Sequence, residues 1–300
     1  MLRARVLIPF AVATLIWGST WIVIRDQLGV VPPSWSVTYR FLVAAVAMFA
    51  YALATGAPLR LGRAGQAFAI PFGVAQFVLN FNFVYRAEAH ITSGLVAVVF
   101  ALLLVPNAIL ARIFLKQPVA GRFLGGSAVA LAGVAMLILH EARTDASSGP
   151  ATILGVGLTF LGVLSASAAN VMQGTERARA LPMASMLAWG MLWGAGIDAL
   201  FAWMTAGPPI VEWRWGYLAG ILHLGILASA VAFTCYFGVI RAVGPARAAY
   251  SSVITPVLAM LLSTVFEGYR WSLLAAAGGV LALAGLAGGI SAPRPAAKSG

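Results

Sequence analysis

Charge is scarce in this sequence. Of 300 residues, 19 are lysine or arginine and eight are acidic, 9% in all, where a soluble domain carries about 25%. So few charges cannot coat a water-soluble fold, which excludes a soluble globular enzyme. Cysteine is nearly absent: Cys235 stands alone, so no internal disulfide framework holds the chain. Histidine occurs three times, as His90, His140 and His223. These lie on separate segments without metal-ligand spacing, and no metal site is expected. No glycine-rich loop precedes a Lys-Ser or Lys-Thr pair, and no loop is long enough for an ATPase domain. No cofactor is implied.

What is present is apolar. Hydrophobic residues make up 61% of the chain, and the mean hydropathy is +0.94. This is the composition of a polytopic helical membrane protein, each span needing about 20 apolar residues. Ten apolar segments are read: Val6–Ile24, Ser36–Leu53, Ala67–Tyr85, Ile91–Leu115, Phe123–Leu139, Ile153–Val171, Met183–Met204, Trp215–Ile240, Ala246–Phe266 and Trp271–Ile290. They are too long and uniform for the alternating strands of a β-barrel. Turn residues separate them: Pro32-Pro33, Gly56-Ala57-Pro58, Gly207-Pro208-Pro209 and Gly244-Pro245. Arg3 and Arg5 precede a first run with no small-residue cleavage site, so a retained first helix is expected.

The charges sort by side. Twelve of the 19 cations fall in the N-terminus, the even-numbered loops and the C-terminal tail. The odd-numbered loops hold five, namely Arg25, Arg86, Arg143, Arg214 and Arg270, together with six of the eight acids. Positive loops stay in the cytoplasm, so both termini are expected there. This layout attributes the net charge of +11 to lipid topology and not to nucleic acid, and the expected surroundings are a lipid bilayer. Trp35, Trp203, Trp213, Trp215, Tyr269 and Trp271 fall at the outer boundary, as an aromatic belt would.

The chain also repeats itself. Pro106 in segment four and Pro256 in segment nine are offset by 150 residues. Gly126 with Ala130-Leu131-Ala132-Gly133 matches Gly278 with Ala282-Leu283-Ala284-Gly285 at an offset of 152, and Gly18-Ser19 aligns with Ala169-Asn170 at 151. The expected organisation is a five-helix repeat over 1–140, a linker over 141–152, a second repeat over 153–290 and a disordered cytoplasmic tail over 291–300. Five is odd, so the second repeat enters the membrane upside down. Inverted repeats are a recurring transporter plan, with the site near the midplane between halves. Small-residue pairs such as Gly121/Gly125, Gly190/Gly194, Gly216/Gly220 and Gly285/Gly289 suit close helix contacts.

Polar groups inside a membrane are costly and tend to face a cavity or one another. Segment one offers Trp17, Ser19 and Thr20. Segment three offers Gln76, Asn80 and Asn82 among Phe77, Phe81, Phe83 and Tyr85. Asn107 follows Pro106; segment six offers Ser165, Ser167 and Asn170. Segment eight offers Thr234 and Tyr236, and segment nine Tyr250, Ser251, Ser252 and Thr255. Any one such residue commonly bonds a neighbouring helix; the set points to a cavity. Amides and hydroxyls among aromatic rings suit a zwitterionic or weakly polar solute. Pro106 and Pro256 each free a carbonyl four residues earlier and kink their helices, either beside a pathway or as static packing kinks.

Asp198 is the one acid well inside a segment. Consecutive antiparallel helices usually touch, so Asp198 and His223 are expected within reach, as a proton site or a structural pair. Arg40 and Arg112 sit near helix ends, where snorkelling to headgroups is the default; Arg40 is the second choice for a carboxylate site.

Several stretches resemble one family. Trp17-Gly18-Ser19, Arg40, Asn80-Phe81-Asn82-Phe83-Val84-Tyr85-Arg86-Ala87, Ser93-Gly94 through Pro106, and Arg241-Ala242 through Pro256 are similar to EamA-type proteins of the drug/metabolite transporter superfamily. Where that family commonly has an acid after its fourth helix, this chain has Lys116-Gln117; the second half keeps Glu267. The resemblance implies an all-α membrane protein of ten helices in two inverted repeats, with both termini cytoplasmic. It implies a cavity lined by helices one, three, four, six, eight and nine.

It also implies export of amino acids or related metabolites across the bacterial inner membrane, most like the YddG-like exporters of aromatic and neutral amino acids. The cavity residues expected are Trp17, Ser19, Asn80, Asn82, Phe83, Asn107, Asn170, Tyr236 and Tyr250. The partner is a small-molecule substrate, handled by a monomer without nucleic acid. With Asp198 and His223 the only titratable candidates, facilitated export by alternating access is the leading reading. A proton-coupled exporter of cationic drugs is the alternative, ahead of a membrane enzyme or scaffold.

Overall fold

The computed structural model describes residues 2–118, 121–144, 149–249, 251–268 and 270–290. Tyr250, Tyr269 and the tail from 291 lie outside the described residues, as do 145–148 of the expected linker. Among the described residues the long helices are α1 Leu2–Asp26, α2 Pro33–Ala54, α3 Gly62–Glu88, α4 Ser93–Leu115, α5 Gly121–Thr144, α6 Gly149–Gln173, α7 Met183–Ala206, α8 Trp215–Val243, α9 Ser251–Phe266 and α10 Leu273–Ile290. Single turns at Glu176–Arg179 and Pro245–Ala248 precede α7 and α9. Among the described residues, seven helices are long and apolar enough to cross a membrane: α1 to α4 and α6 to α8.

Local chemistry sets the ends. Pro33 opens α2, where a missing N–H costs nothing and its φ already suits a helix. Thr92 caps α4 by accepting from the Leu95 amide. Gly207, at φ 79°, ends α7, and its carbonyl accepts from Trp35 Nε1 at 3.2 Å. That bond accompanies a departure from expectation: Trp35 is buried, whereas Trp203, Trp213, Trp215 and Trp271 are exposed, as belt residues would be. Segment nine is also broken, since Pro245 starts a separate turn before Ser251.

Three helices change winding midway. In α4 a 3-10 turn occupies Ala101–Leu103, one turn before Pro106, whose ring crowds the carbonyl four residues back. In α3 a π segment covers Val74–Leu79, and in α8 another covers His223–Val231. The π segments stand at equivalent places of the two halves, 149 residues apart at their starts.

The packing is reciprocal. Helix α1 lies against α8 and α9, and α6 against α3 and α4. Helix α2 meets α8 as α7 meets α3; α2 pairs with α7, α4 with α9 and α5 with α10. Exchanging the halves returns the same pattern. The repeated Gly-Ala motif carries the α5–α10 contact. A methyl on Gly133 would strike the backbone of Ala282 and Gly278, and one on Gly285 would strike Ala130 and Gly126. Gly73 of α3 likewise meets the Gly190 carbonyl of α7, and Gly225 of α8 the Arg40 carbonyl of α2. Gly121 and Gly125, by contrast, have open space.

An aromatic slab of Phe41, Phe72, Phe77, Phe81, Phe233 and Phe237 fills the interior, ring centroids 4.7–6.2 Å apart. Leu7, Ile8, Val46, Phe114, Met204 and Val265 are exposed, the outward apolar coat a hydrocarbon surrounding requires.

Candidate functional site

A cavity with about 80 Å³ open to the centres of water molecules lies where the two halves meet. On α1, Trp17, Thr20, Trp21 and Ile24 line it, a spacing that keeps one helical face inward. On α3 the lining is Gln76, Asn80, Phe81 and Val84; on α4 it includes Phe100 and Ala101; α6 gives Ala166 and Asn170. Helix α8 gives Phe233 and Tyr236, and α9 gives Ser251, Ser252, Thr255 and Pro256. Helix α2 adds Arg40.

Five of these residues carry buried polar atoms without a hydrogen-bond partner among the described residues: Trp21 Nε1, Arg40 Nη1, Gln76 Oε1, Asn80 Oδ1 and Tyr236 OH. Buried polar groups are normally paired, so a cluster of donors and acceptors left open around one space is the arrangement of a polar ligand site. Local structure explains the Asn80 orientation. Its Nδ2 donates to the Gln76 carbonyl at 3.4 Å, inside the π segment where regular helical donors are misplaced. Oδ1 is left over. Trp17 is held similarly: Nε1 donates to the Ala228 carbonyl at 3.0 Å. Its ring meets Tyr236 at 4.8 Å and Phe233 at 5.2 Å, both edge to face.

Of the expected residues, Trp17, Asn80, Asn170, Tyr236 and Pro256 come together on this cavity. Asn107 stands behind Asn170, its Oδ1 accepting from Asn170 Nδ2 at 3.5 Å. Ser19 is turned aside: Oγ donates to the Ile16 carbonyl at 2.8 Å and lies 3.4 Å from His223 Nε2. Phe83 is half-buried and outside the described lining. Pro106 lines a different, wholly apolar groove with Leu102, Ile109, Leu131, Phe160 and Leu164.

Asn82 and Asp198 form a separate buried network. Asn82 Nδ2 donates to Asp198 Oδ1 at 2.5 Å, and Thr38 Oγ1 to Asp198 Oδ2 at 3.2 Å. Arg86 Nη1 donates to Asn82 Oδ1, which also accepts from Ser34 Oγ at 2.9 Å. The expected Asp198–His223 pair is absent. Helix α7 packs on α2 and α3, so Asp198 meets Thr38 and Asn82. His223 instead faces an open hollow beside Arg25, Asp26, Thr92 and Glu267.

Thr20, Gln76, Ser251, Ser252 and Thr255 also line the cavity although they are not among the expected site residues. Trp21 and Phe233 line it too; only Trp21 carries a signal in the sequence, one helical turn beyond Trp17. Arg40 is the largest correction. Its side chain does not snorkel: it is 1% exposed, because α7 and α8 pack on either side of α2.

Long apolar helices closed around a cavity between two halves, its wall mostly apolar with a few open polar groups, are the build of a membrane transporter. The EamA-like transporter family model matches the chain twice, over residues 5–139 and 152–289. The chain belongs to that family. Protein PagO of Salmonella typhimurium is 23% identical over 273 residues, covering 91% of this chain and 88% of PagO. The uncharacterized inner membrane transporter YedA of Escherichia coli K12 is 30% identical over 275 residues, covering 89% and 86%. A solved crystal structure of another protein shares the fold, at a TM-score of 0.70 and 20% identity, with 96% and 97% of the two chains covered.

Proposed function

We propose that this protein exports aromatic and other neutral amino acids, with related small metabolites, by alternating access through the central cavity. In this reading it sits in the bacterial inner membrane as a monomer. All ten helices span, the two five-helix repeats are inverted, and both termini are cytoplasmic. The observation that carries the reading is the cluster of unpaired donors and acceptors, Trp21, Arg40, Gln76, Asn80 and Tyr236, on a cavity walled by Trp17, Phe81 and Phe233. Donors meet a carboxylate, acceptors an ammonium, and rings an apolar side chain. The reciprocal packing of the halves supports one half rocking on the other.

Export is facilitative in this reading, because the described lining holds neither a carboxylate nor a histidine. A cationic drug would meet Arg40 in place of an acid, which disfavours the drug reading. The test is flux of labelled phenylalanine, alanine, threonine and a cationic dye in proteoliposomes, with and without a pH gradient. Amino acid flux indifferent to the gradient is expected. Dye flux alone, or flux requiring protons, overturns the proposal.

A further inference from the structure

Arg40 is a buried cation without a close ion-pair partner. Among the described residues no carboxylate lies within the 4.0 Å ion-pair distance of its guanidinium; the ion pairs present are Arg25–Glu267, Arg214–Asp26 and Arg214–Glu212. A guanidinium stays charged in proteins, so it does not escape the cost of burial by losing its proton. Burial of a charge without a partner is strongly unfavourable. A chain that retains such a group on the wall of a cavity has left a place for an anion.

The geometry is that of a built site. Arg40 Nε donates to Ser229 Oγ of the α8 π segment at 2.9 Å. That bond fixes the plane of the fork. Phe81 covers the guanidinium, 4.2 Å from its carbon to the ring centroid, with Phe41 at 5.4 Å. Nη1 remains buried and unpartnered on the cavity wall. Gln76 Oε1 and Asn80 Oδ1, on one face of α3, are the unpartnered acceptors of the same space. The nearest acid in sequence to this face is Glu88, one turn beyond Val84. It is fully buried and within electrostatic reach of Arg40, but it hydrogen-bonds neither Arg40 nor any other described residue, so it does not occupy the open Nη1.

We propose that Arg40 is the carboxylate-binding residue of the cavity, so that the solutes carried are those with a free carboxylate. Gln76 and Asn80 take the ammonium of a zwitterion. This rests on the cavity being the solute path, but its test separates the two ideas. The first arm compares labelled phenylalanine with phenylalaninamide and phenethylamine in proteoliposomes of the unaltered protein. A preference of about tenfold or more for the free carboxylate is expected, since a buried polar site rejects a ligand that leaves it unpaired. In Arg40→Gln that ratio collapses toward one, through a rise in KM; Arg40→Lys keeps part of it.

The second arm needs no transport. The purified protein in detergent is heated with 3-phenylpropionate or 3-phenylpropanamide. The carboxylate should raise the melting temperature of the unaltered protein and not of Arg40→Gln, and the amide should do neither. Equal flux of acid and amide, or equal stabilisation by both, overturns the inference. Carboxylate stabilisation with no amino acid flux would keep it while overturning the export reading.

Discussion

Trp17 Nε1 donates to the carbonyl of Ala228 at 3.0 Å, so the first helix of one half is bonded to the widened π turn of the other. The bond ties the two halves together through that turn. Trp17→Phe keeps the ring contacts with Tyr236 and Phe233 but removes that bond. A loss of about 1–2 kcal/mol is expected, read as a lower melting temperature in detergent. Trp17→Ala removes ring and bond together and should cost more. A Phe variant as stable as the parent would show the bond to be without weight.

Gly133→Ala and Gly285→Ala should each cost about 1–3 kcal/mol, because the added methyl meets backbone and not a side chain that can turn away. The two contacts are reciprocal across one α5–α10 seam, so the double variant should fall short of the sum. Gly279→Ala, with open space around it, serves as the control and should change stability by less than about 0.5 kcal/mol. Additive losses would mean that the seam does not act as one contact.

Asp198→Asn replaces an acceptor of two bonds, from Asn82 and Thr38, with a group that presents a donor to one of them. Stability should fall by about 1–3 kcal/mol. Transport per folded molecule and its pH dependence should not change. A flattened pH profile in this variant would return Asp198 to a proton-carrying role.

Glu88 is fully buried, and neither carboxylate oxygen is hydrogen-bonded among the described residues. Glu88→Leu removes a buried carboxyl without a hydrogen bond, at the loss of its distant attraction to Arg25 and Arg40. The melting temperature should rise, by the equivalent of about 1–3 kcal/mol, the cost of burying a polar group without a hydrogen bond. A fall would mean that the carboxyl makes a favourable interaction in the membrane.

Arg214 pairs with Asp26 and Glu212 at an exposed site. Such pairs contribute about 0–1 kcal/mol. Arg214→Ala should therefore be near neutral at moderate salt, with any effect fading as salt is raised. A salt-independent loss above that range would point to a structural tie between α1 and the loop before α8.

The helices were legible because apolar length and turn residues are local properties. Segment seven, Met183–Met204, and helix α7, Met183–Ala206, begin at the same residue, where Pro182 precedes the apolar run. Winding was not legible. Pro71 and Gly73 stand just before the first π segment and Gly225 inside the second, but glycine and proline occur in other helices here without a π turn, and these two sites are also ones of close helix packing, Gly73 on Gly190 and Gly225 on Arg40. Among polar residues, Trp17, Asn80 and Asn170 were found by asking which groups a membrane would not tolerate. That question does not separate them from Asn82, whose identical chemistry is spent on Asp198 instead.

Apolar length and repeated motifs are enough to locate the long helices, to reveal two related halves, and to mark which polar groups must find partners away from lipid. Which partner each group meets depends on how the helices pack. Pro106 and Pro256 are equivalent in sequence, yet one lines an apolar groove and the other the cavity. Arg40 reads from sequence as a side chain able to reach a headgroup, and the packing of α7 and α8 on α2 encloses it. The physical reason is common to these cases. Helix formation follows from the composition of about 20 consecutive residues, whereas the face a helix buries is set by helices far away in the chain.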